Sequence, residues 1–348
     1  MGVAVNRSQG LRINYLLADT ELFGGVKVAL HHAELLRRAG HSVTVVSRGP
    51  CPEWYPVRVG FVSVADLDAG PLPDADLHVA TFWTTVEAAV NQPSGRAVHF
   101  CQGFEADLDH NRDDVPGILA AYGHRVPTIA VSPQLAELNR SRFQRSVRVV
   151  PPALEPYWRP RLRIGPGRRP RVLVAHPFEF YMKGVTTALA AVLNLRERGF
   201  PVSLVRLSQW PLSDQERAIV EPDEFHHHLR PPAVADLLRS CDLVLAPSWP
   251  SEGFGLTVLE AMASGVPVVA SRIPSHSSFA AGAAELVEAT NADAFADAAL
   301  DLLGRPRRWW RARRRGLAAA RPFAEAKVAA ALDEAVRWAA SMPSGTAP

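Results

Sequence analysis

The sequence predicts an α/β protein of two doubly wound, Rossmann-like parallel-sheet domains, and three observations point there. Short apolar runs alternate with longer segments of helical period, as in Leu11–Leu17, then Val26, Leu30, Ala33 and Leu36, then Ser42–Ser47. The alternation stops in a Pro-, Gly- and Arg-rich stretch, Tyr157–Arg171 (YWRPRLRIGPGRRPR), and then restarts. The 348 residues also exceed what one typical core organises.

The first strand, Leu11–Leu17, runs through the turn Phe23-Gly24-Gly25 into a helix that Gly40 ends. Ser42–Ser47 then completes a βαβ unit, which demands a right-handed crossover and a parallel sheet. Further strands are predicted at Val57–Val64, Leu77–Ala80, Ala97–Cys101 and Thr128–Val131. A helix from Pro133 to Phe143 and a strand at Val147–Val150 close this half. The second half reads as strand Arg171–Ala175, helix Val185–Arg198, strand Val202–Leu207, helix Val234–Ser240 and strand Asp242–Ala246. A last helix spans Phe323–Ala340, with Phe323, Val328, Leu332 and Val336 on one side, and Ser341–Pro348 is expected to lack order.

The stretch Ala246–Pro274 (APSWPSEGFGLTVLEAMASGVPVVASRIP) carries the chemistry. Its prolines forbid continuation of the strand, and Gly253-Phe254-Gly255 opens directly into a helix beginning at Leu256. Glycines before a helix N-terminus let backbone approach an anion, and the unbonded N–H groups of the first turn then face it. Glu252 stands in the loop and Glu260 inside the helix, so each offers acceptors for hydroxyls on either side of a bound diphosphate. The ordinary alternative makes Glu252 a cap and Glu260 a solvated helical glutamate. Lys183-Gly184 stands at another helix entrance, where a lysine is either a diphosphate partner or a surface charge.

This string resembles the signature of the family-four retaining glycosyltransferases (glycosyl transferases group 1), with the same glutamate spacing. The resemblance runs roughly from Leu11 to Ala340 and is strongest between Leu229 and Pro274. It implies a GT-B-type fold whose two domains face across a cleft: residues 1–158 on the acceptor side, 159–320 for the nucleotide sugar, and a final helix in 321–348 crossing back. It implies that Glu252 contacts the donor sugar, that the backbone of Phe254, Gly255 and Leu256 faces the diphosphate, with Gly253 also in the donor site, that Glu260 holds the ribose, and that Lys183 with Glu252 serves catalysis. Gly24 and Gly25 would approach the donor phosphates, the alternative being a tight connection only.

The chain departs from the family pattern in three places. Gln102 stands about where a histidine usually reaches the donor sugar, so it enters as a donor-binding candidate without acid–base chemistry. Phe178 stands five positions before Lys183, where an arginine is usual, so either the diphosphate loses one cation or another arginine, Arg206 or Arg272, supplies it. Pro151–Leu154 replace an Asn-Gly pair, and Glu155 alone keeps the acidic character. Glu105 either positions an acceptor hydroxyl or is solvated, and His99 reads as a structural strand residue.

The expected reaction is hexosyl transfer from a nucleoside diphosphate donor to a small-molecule or glycan hydroxyl, retaining configuration, with no metal and no cofactor. The Ala-, Arg- and Pro-rich composition resembles that of proteins from high-GC actinomycetes. With the departures at Gln102 and Phe178, it resembles antibiotic-tailoring members of the family, of the orthosomycin (avilamycin) type; a cell-envelope polysaccharide or lipid acceptor is the competitor. A sugar-nucleotide epimerase or a silent nucleotide-sugar-binding protein are the rivals from other classes.

Composition narrows the field further. Hydrophobic residues make up 47% and charged residues 21%, as in globular proteins. A net charge of +3 gives no argument for nucleic acid. MGVAVNRSQG lacks the apolar core of a signal peptide, so a cytoplasmic protein is expected. Cys51, Cys101 and Cys241 have no paired spacing, and His226-His227-His228 cannot converge on one ion from one strand or helix. Arg305–Arg315 (RPRRWWRARRR) reads as an amphipathic surface helix with solvated arginines, although such a cluster with its Trp309-Trp310 pair also suits a membrane surface or nucleic acid.

Overall fold

A computed structural model describes residues 10–342. The chain divides into two compact units, one formed by the residues through Ala153 together with those from Glu325 onward, the other by Leu154–Ala324.

The first unit is a seven-stranded parallel sheet. Its elements begin with β1 (Arg12–Leu17), α1 (Gly24–Arg38), β2 (Ser42–Ser47), β3 (Gly60–Ser63), β4 (Leu77–Ala80) and α2 (Val86–Val90). They continue with β5 (Arg96–Cys101), α3 (Val115–Gly123), β6 (Thr128–Ala130), α4 (Pro133–Phe143) and β7 (Val147–Val149). The strand order is β3-β2-β1-β4-β5-β6-β7, so the direction of winding reverses between β1 and β4. Ile13, Tyr15, Leu16, Val45, Val46, Leu77, Val79 and Val98 are all essentially buried, as continuous apolar runs require when helices cover both faces.

The second unit is a six-stranded parallel sheet. It holds β8 (Arg171–Ala175), α5 (Val185–Glu197), β9 (Ser203–Ser208), α6 (Asp214–Ile219), β10 (Glu224–His227), α7 (Pro231–Ser240) and β11 (Leu243–Ala246). After these come α8 (Leu256–Ala263), β12 (Val268–Ser271), α9 (Pro274–Ala280), β13 (Glu285–Val287), α10 (Ala292–Leu303) and α11 (Pro306–Ala320). The order β10-β9-β8-β11-β12-β13 reverses between β8 and β11. Open α/β sheets bind ligands outside the carboxyl ends of the strands at that reversal. Both segments singled out from the sequence, the one leading to Lys183 and the one leading to Glu252, leave the sheet there.

The last helix, α12 (Glu325–Ser341), belongs to the first unit and buries Val328, Leu332 and Val336. Phe323 does not share that face. It sits in a 3₁₀ turn of the second unit, where its ring meets Phe254 and Phe279 at 5.7 and 5.6 Å. Ser341 is helical, and residues 343–348, like the N-terminal stretch on which the leader reading rests, lie outside the described residues. Among the described residues no helix is long and apolar enough to cross a membrane.

Candidate active site at the start of α8

β11 ends at Ala246, and the chain reaches α8 through a loop that Phe254 anchors from within. The Phe254 ring is 6% exposed and stacks on Phe279 at 4.7 Å with 1° between planes. Gly255 then takes φ +99°, a left-handed conformation that only glycine holds without strain. A second reason for glycine is space, since a Cβ there would lie 2.5 Å from Cδ2 of His276. The carbonyl of Gly255 accepts the first helical bonds, from Val258 N–H at 3.1 Å and Leu259 N–H at 3.2 Å. The N–H groups of Leu256 and Thr257 precede those bonds, which is the geometry of an anion seat.

The 3₁₀ turn Tyr181–Lys183 brings Lys183 to this loop. Gly184, at φ +63°, caps the turn, and a Cβ on it would lie 2.1 Å from the Pro247 carbonyl oxygen. Trp249 N–H donates to the Met182 carbonyl at 2.7 Å, clamping the two segments together. Lys183 Nζ then donates to Glu252 Oε2 at 2.6 Å, with side chains only 21% and 10% exposed. Burial works to raise the Glu252 carboxyl, but the charge and hydrogen bond of Lys183 outweigh it and hold the group down to about 2.

Two histidines, His176 half-buried and His276 buried, complete the site, and sequence reasoning missed both. His176 follows β8 directly, at φ +85°, and its Nε2 lies 2.9 Å from the Thr257 hydroxyl in the first turn of α8. Burial, helped by the Lys183 charge, lowers its imidazole to about 3. His276, on α9, is fully buried over Gly255, with Nδ1 3.0 Å from the Ser271 carbonyl. Burial lowers its imidazole, while the Glu252 charge works to raise it. The available signals were position alone: one histidine at a strand's carboxyl end, the other two residues beyond a proline at a helix start.

Glu260 is half-buried one turn into α8. The two arginines considered as substitute phosphate cations are committed elsewhere. Arg206 is fully buried, ion-paired through Nε to Glu216, and donates to the carbonyls of Val174, Leu207 and His176. It braces the sheet and the backbone of His176. Arg272 donates to the Leu286 carbonyl. Phe178 packs against the second unit's core.

Of the first-unit candidates, Gly24 and Gly25 begin α1 itself, not a turn before it. Gln102 Nε2 donates to the Gly25 carbonyl at 3.1 Å, so these two candidates are brought together at the carboxyl ends of the strands. Glu105 is not solvated: it is 6% exposed and accepts from the Tyr122 hydroxyl at 2.8 Å. Burial pushes its carboxyl up to about 7 against the hydrogen bonds from its own backbone, Tyr122 and Trp83. His99 is fully buried, and its Nδ1 lies 2.7 Å from Nη1 of Arg145. Glu155 accepts from the Tyr157 hydroxyl and the Trp158 indole at 2.7 and 2.8 Å, a local role.

The histidine triplet diverges. His226 Nε2 faces Glu224 and His227 Nε2 faces the Gln209 carbonyl, while His228 leaves the strand at φ +52°. No metal-ligand cluster of three or more His, Cys, Asp or Glu occurs among the described residues. The arginine cluster forms α11, but not all its arginines are solvated. Arg313 is 7% exposed and donates to the carbonyls of Gly265 and Arg161, and buried Trp309 donates to the Asp242 carbonyl at 2.7 Å.

The architecture, two parallel-sheet Rossmann-like units, is that of GT-B glycosyltransferases. Sucrose-phosphate synthase from Thermosynechococcus elongatus superposes with a TM-score of 0.76 at 18% identity, covering 94% of this chain and 98% of that one. HepE of Anabaena, in a structure with UDP-glucose, gives 0.75 at 14% identity over 94% and 100%. Residues 169–305, within the second unit, match the family Glycosyl transferases group 1. The lipopolysaccharide core biosynthesis mannosyltransferase LpsB of Rhizobium meliloti is 44% identical over 80 residues, 21% of this chain and 22% of that protein. The chain thus matches about a fifth of that curated relative's length.

Proposed function

We propose that the protein is a retaining, metal-independent glycosyltransferase that moves a hexosyl group from a nucleoside diphosphate sugar to a hydroxyl acceptor. The observation that carries this reading is the Lys183–Glu252 pair set against the amide-lined start of α8, inside the segment that matches Glycosyl transferases group 1. A diphosphate seats on the amides from Phe254 to Leu256, Glu252 accepts from sugar hydroxyls, and Glu260 holds the ribose. As the bond from the anomeric carbon to the phosphate oxygen breaks, charge builds on the diphosphate, where Lys183 and the amides are already aimed. The acceptor oxygen bonds to the anomeric carbon on the same face, and its proton passes to the departing phosphate oxygen.

A cell-envelope saccharide acceptor is favoured by the lipopolysaccharide mannosyltransferase relative. A soluble natural-product acceptor is the narrower alternative suggested by Gln102 and Phe178. A thermal-shift panel of UDP, GDP, dTDP, ADP and CDP, with magnesium and with chelator, tests the donor site. A ligand at a hundred times its dissociation constant stabilises by about 2.7 kcal/mol. The reading expects one nucleotide to stabilise wild type without metal and Glu260→Ala to respond much less. If none stabilises wild type, the reading fails.

A further inference from the structure

This inference rests on the donor-site reading and concerns the charge of the same seat. The Nδ1 atom of His276 faces a carbonyl, which can only accept, so Nδ1 carries the ring hydrogen and Nε2 keeps a lone pair. Among the described residues that Nε2 has no hydrogen-bond partner, although the side chain is 0% exposed. A buried polar atom left without a partner is destabilising. Here the atom is aimed at the backbone where α8 begins: a Cβ on Gly255 would lie 2.7 Å from it.

The charge balance of the seat leaves a role for it. The diphosphate of a nucleotide sugar carries two fixed negative charges, and Lys183 and Glu252 cancel one another. Arg206 and Arg272 are held by Glu216 and by carbonyls, and His176 Nε2 is engaged by the Thr257 hydroxyl. The groups that act on the His276 ring are Glu252 and Lys183 from the two loops and the Ser271 carbonyl of β12. Burial keeps the ring neutral, and an anion placed on the seat acts in the same direction as Glu252, toward protonation.

We propose that His276 takes up a proton from solvent at Nε2 when a nucleotide sugar occupies the start of α8, and supplies the phosphate-side positive charge that Lys183 alone does not. The protonated ring donates to a phosphate oxygen as the leaving group forms and returns its proton when the product departs. The orphaned nitrogen thereby gains its partner in the bound complex.

Isothermal titration calorimetry with UDP-glucose and GDP-mannose near pH 7.5, in buffers of different ionisation enthalpy, counts protons taken up on binding. Neither ligand's diphosphate titrates in this range, so uptake reports the protein. Wild type is expected to take up about one proton and to lose affinity about tenfold per pH unit above that point, the slope of a single linked proton. His276→Asn, whose amide can still donate to Ser271, is expected to bind more weakly, with no uptake and no slope. Binding to wild type without proton uptake, or uptake that survives in His276→Asn, overturns the proposal while leaving the donor site standing. Failure of both nucleotide sugars to bind wild type overturns the donor-site reading, and this proposal falls with it. If His276→Asn does not fold, the nitrogen chemical shift of the His276 ring in wild type decides: Nε2 must become protonated on ligand addition, and a ring that stays neutral sinks the idea.

Discussion

Lys183 Nζ and Glu252 Oε2 are 2.6 Å apart in a setting where neither charge is well hydrated, and the Lys183 charge and hydrogen bond hold the Glu252 carboxyl ionised. Removing one partner strands a sheltered charge. Lys183→Ala and Glu252→Ala should each cost about 1–3 kcal/mol in urea unfolding, discounted from a fully buried pair for the partial exposure of Lys183. The sign with pH follows from Glu252. Its folded pKa is depressed, so its contribution is present above the unfolded value of 4.5 and is lost as pH falls toward about 2. Glu252→Gln should flatten that acid limb, and an unchanged limb would mean that other carboxylates set it.

Gly255→Ala should destabilise by two separable routes. The left-handed φ of +99° costs a non-glycine residue roughly 1–2 kcal/mol, and the new methyl also meets the His276 ring, 2.5 Å from its Cδ2. A double-mutant cycle with His276→Ala distinguishes them. Opening the ring's space should recover the steric part and leave the backbone part, giving a coupling of about 1 kcal/mol or more. Strict additivity would show that the ring and Gly255 do not meet.

The sequence showed the strands most plainly where burial is on both faces. Ser42–Ser47, Leu77–Ala80 and the helix from Pro133 to Phe143 fall within the bounds their apolar runs and proline predicted. Val57–Val64 shrank to Gly60–Ser63 because an edge strand pairs with one neighbour only. The elements α6, α9 and β13 passed unassigned because they span only six, seven and three residues, too few to show a period; α10 also passed unassigned although Phe295, Ala296, Ala299, Leu302 and Leu303 give it a buried apolar face. The Lys183, Glu252 and Gly255 cluster was legible because spacing, prolines and glycines act locally. His176 and His276 were not, because what assigns them is a backbone angle and a ring packed on a glycine 21 positions away. Arg206 misled for a related reason, since nothing local to SLVRLS says that its partner is Glu216.

Glu105 makes the stability of the first unit fall as pH rises. Its folded pKa is raised from 4.5 to about 7, so its contribution is fully present below 4.5 and is lost between 4.5 and about 7. The shift corresponds to about 3 kcal/mol, taking roughly 1.4 kcal/mol per unit. Glu105→Gln keeps an acceptor for the Tyr122 hydroxyl without the charge, so its urea midpoint should change little across that window while that of wild type declines. Parallel curves for the two proteins would place the titration elsewhere.

His41 ties α12 to the first unit through a fixed tautomer. Its Nδ1 accepts the Leu11 N–H at 2.9 Å, so Nε2 must carry hydrogen, and it donates to Asp333 Oδ1 at 2.7 Å from a side chain that is 0% exposed. Asp333 also accepts from Arg337 Nε at 2.9 Å, one turn along α12. Asp333→Ala leaves the buried Nε2–H without its acceptor, which costs about 1–3 kcal/mol, whereas Asp333→Asn keeps an oxygen there and should cost less. Hydrogen exchange should report the loss locally: amides of Val328–Val336 are expected to exchange faster in Asp333→Ala, with Asp333→Asn between that variant and wild type. Equal protection of α12 in all three proteins would show that apolar packing of Val328, Leu332 and Val336 alone holds the helix.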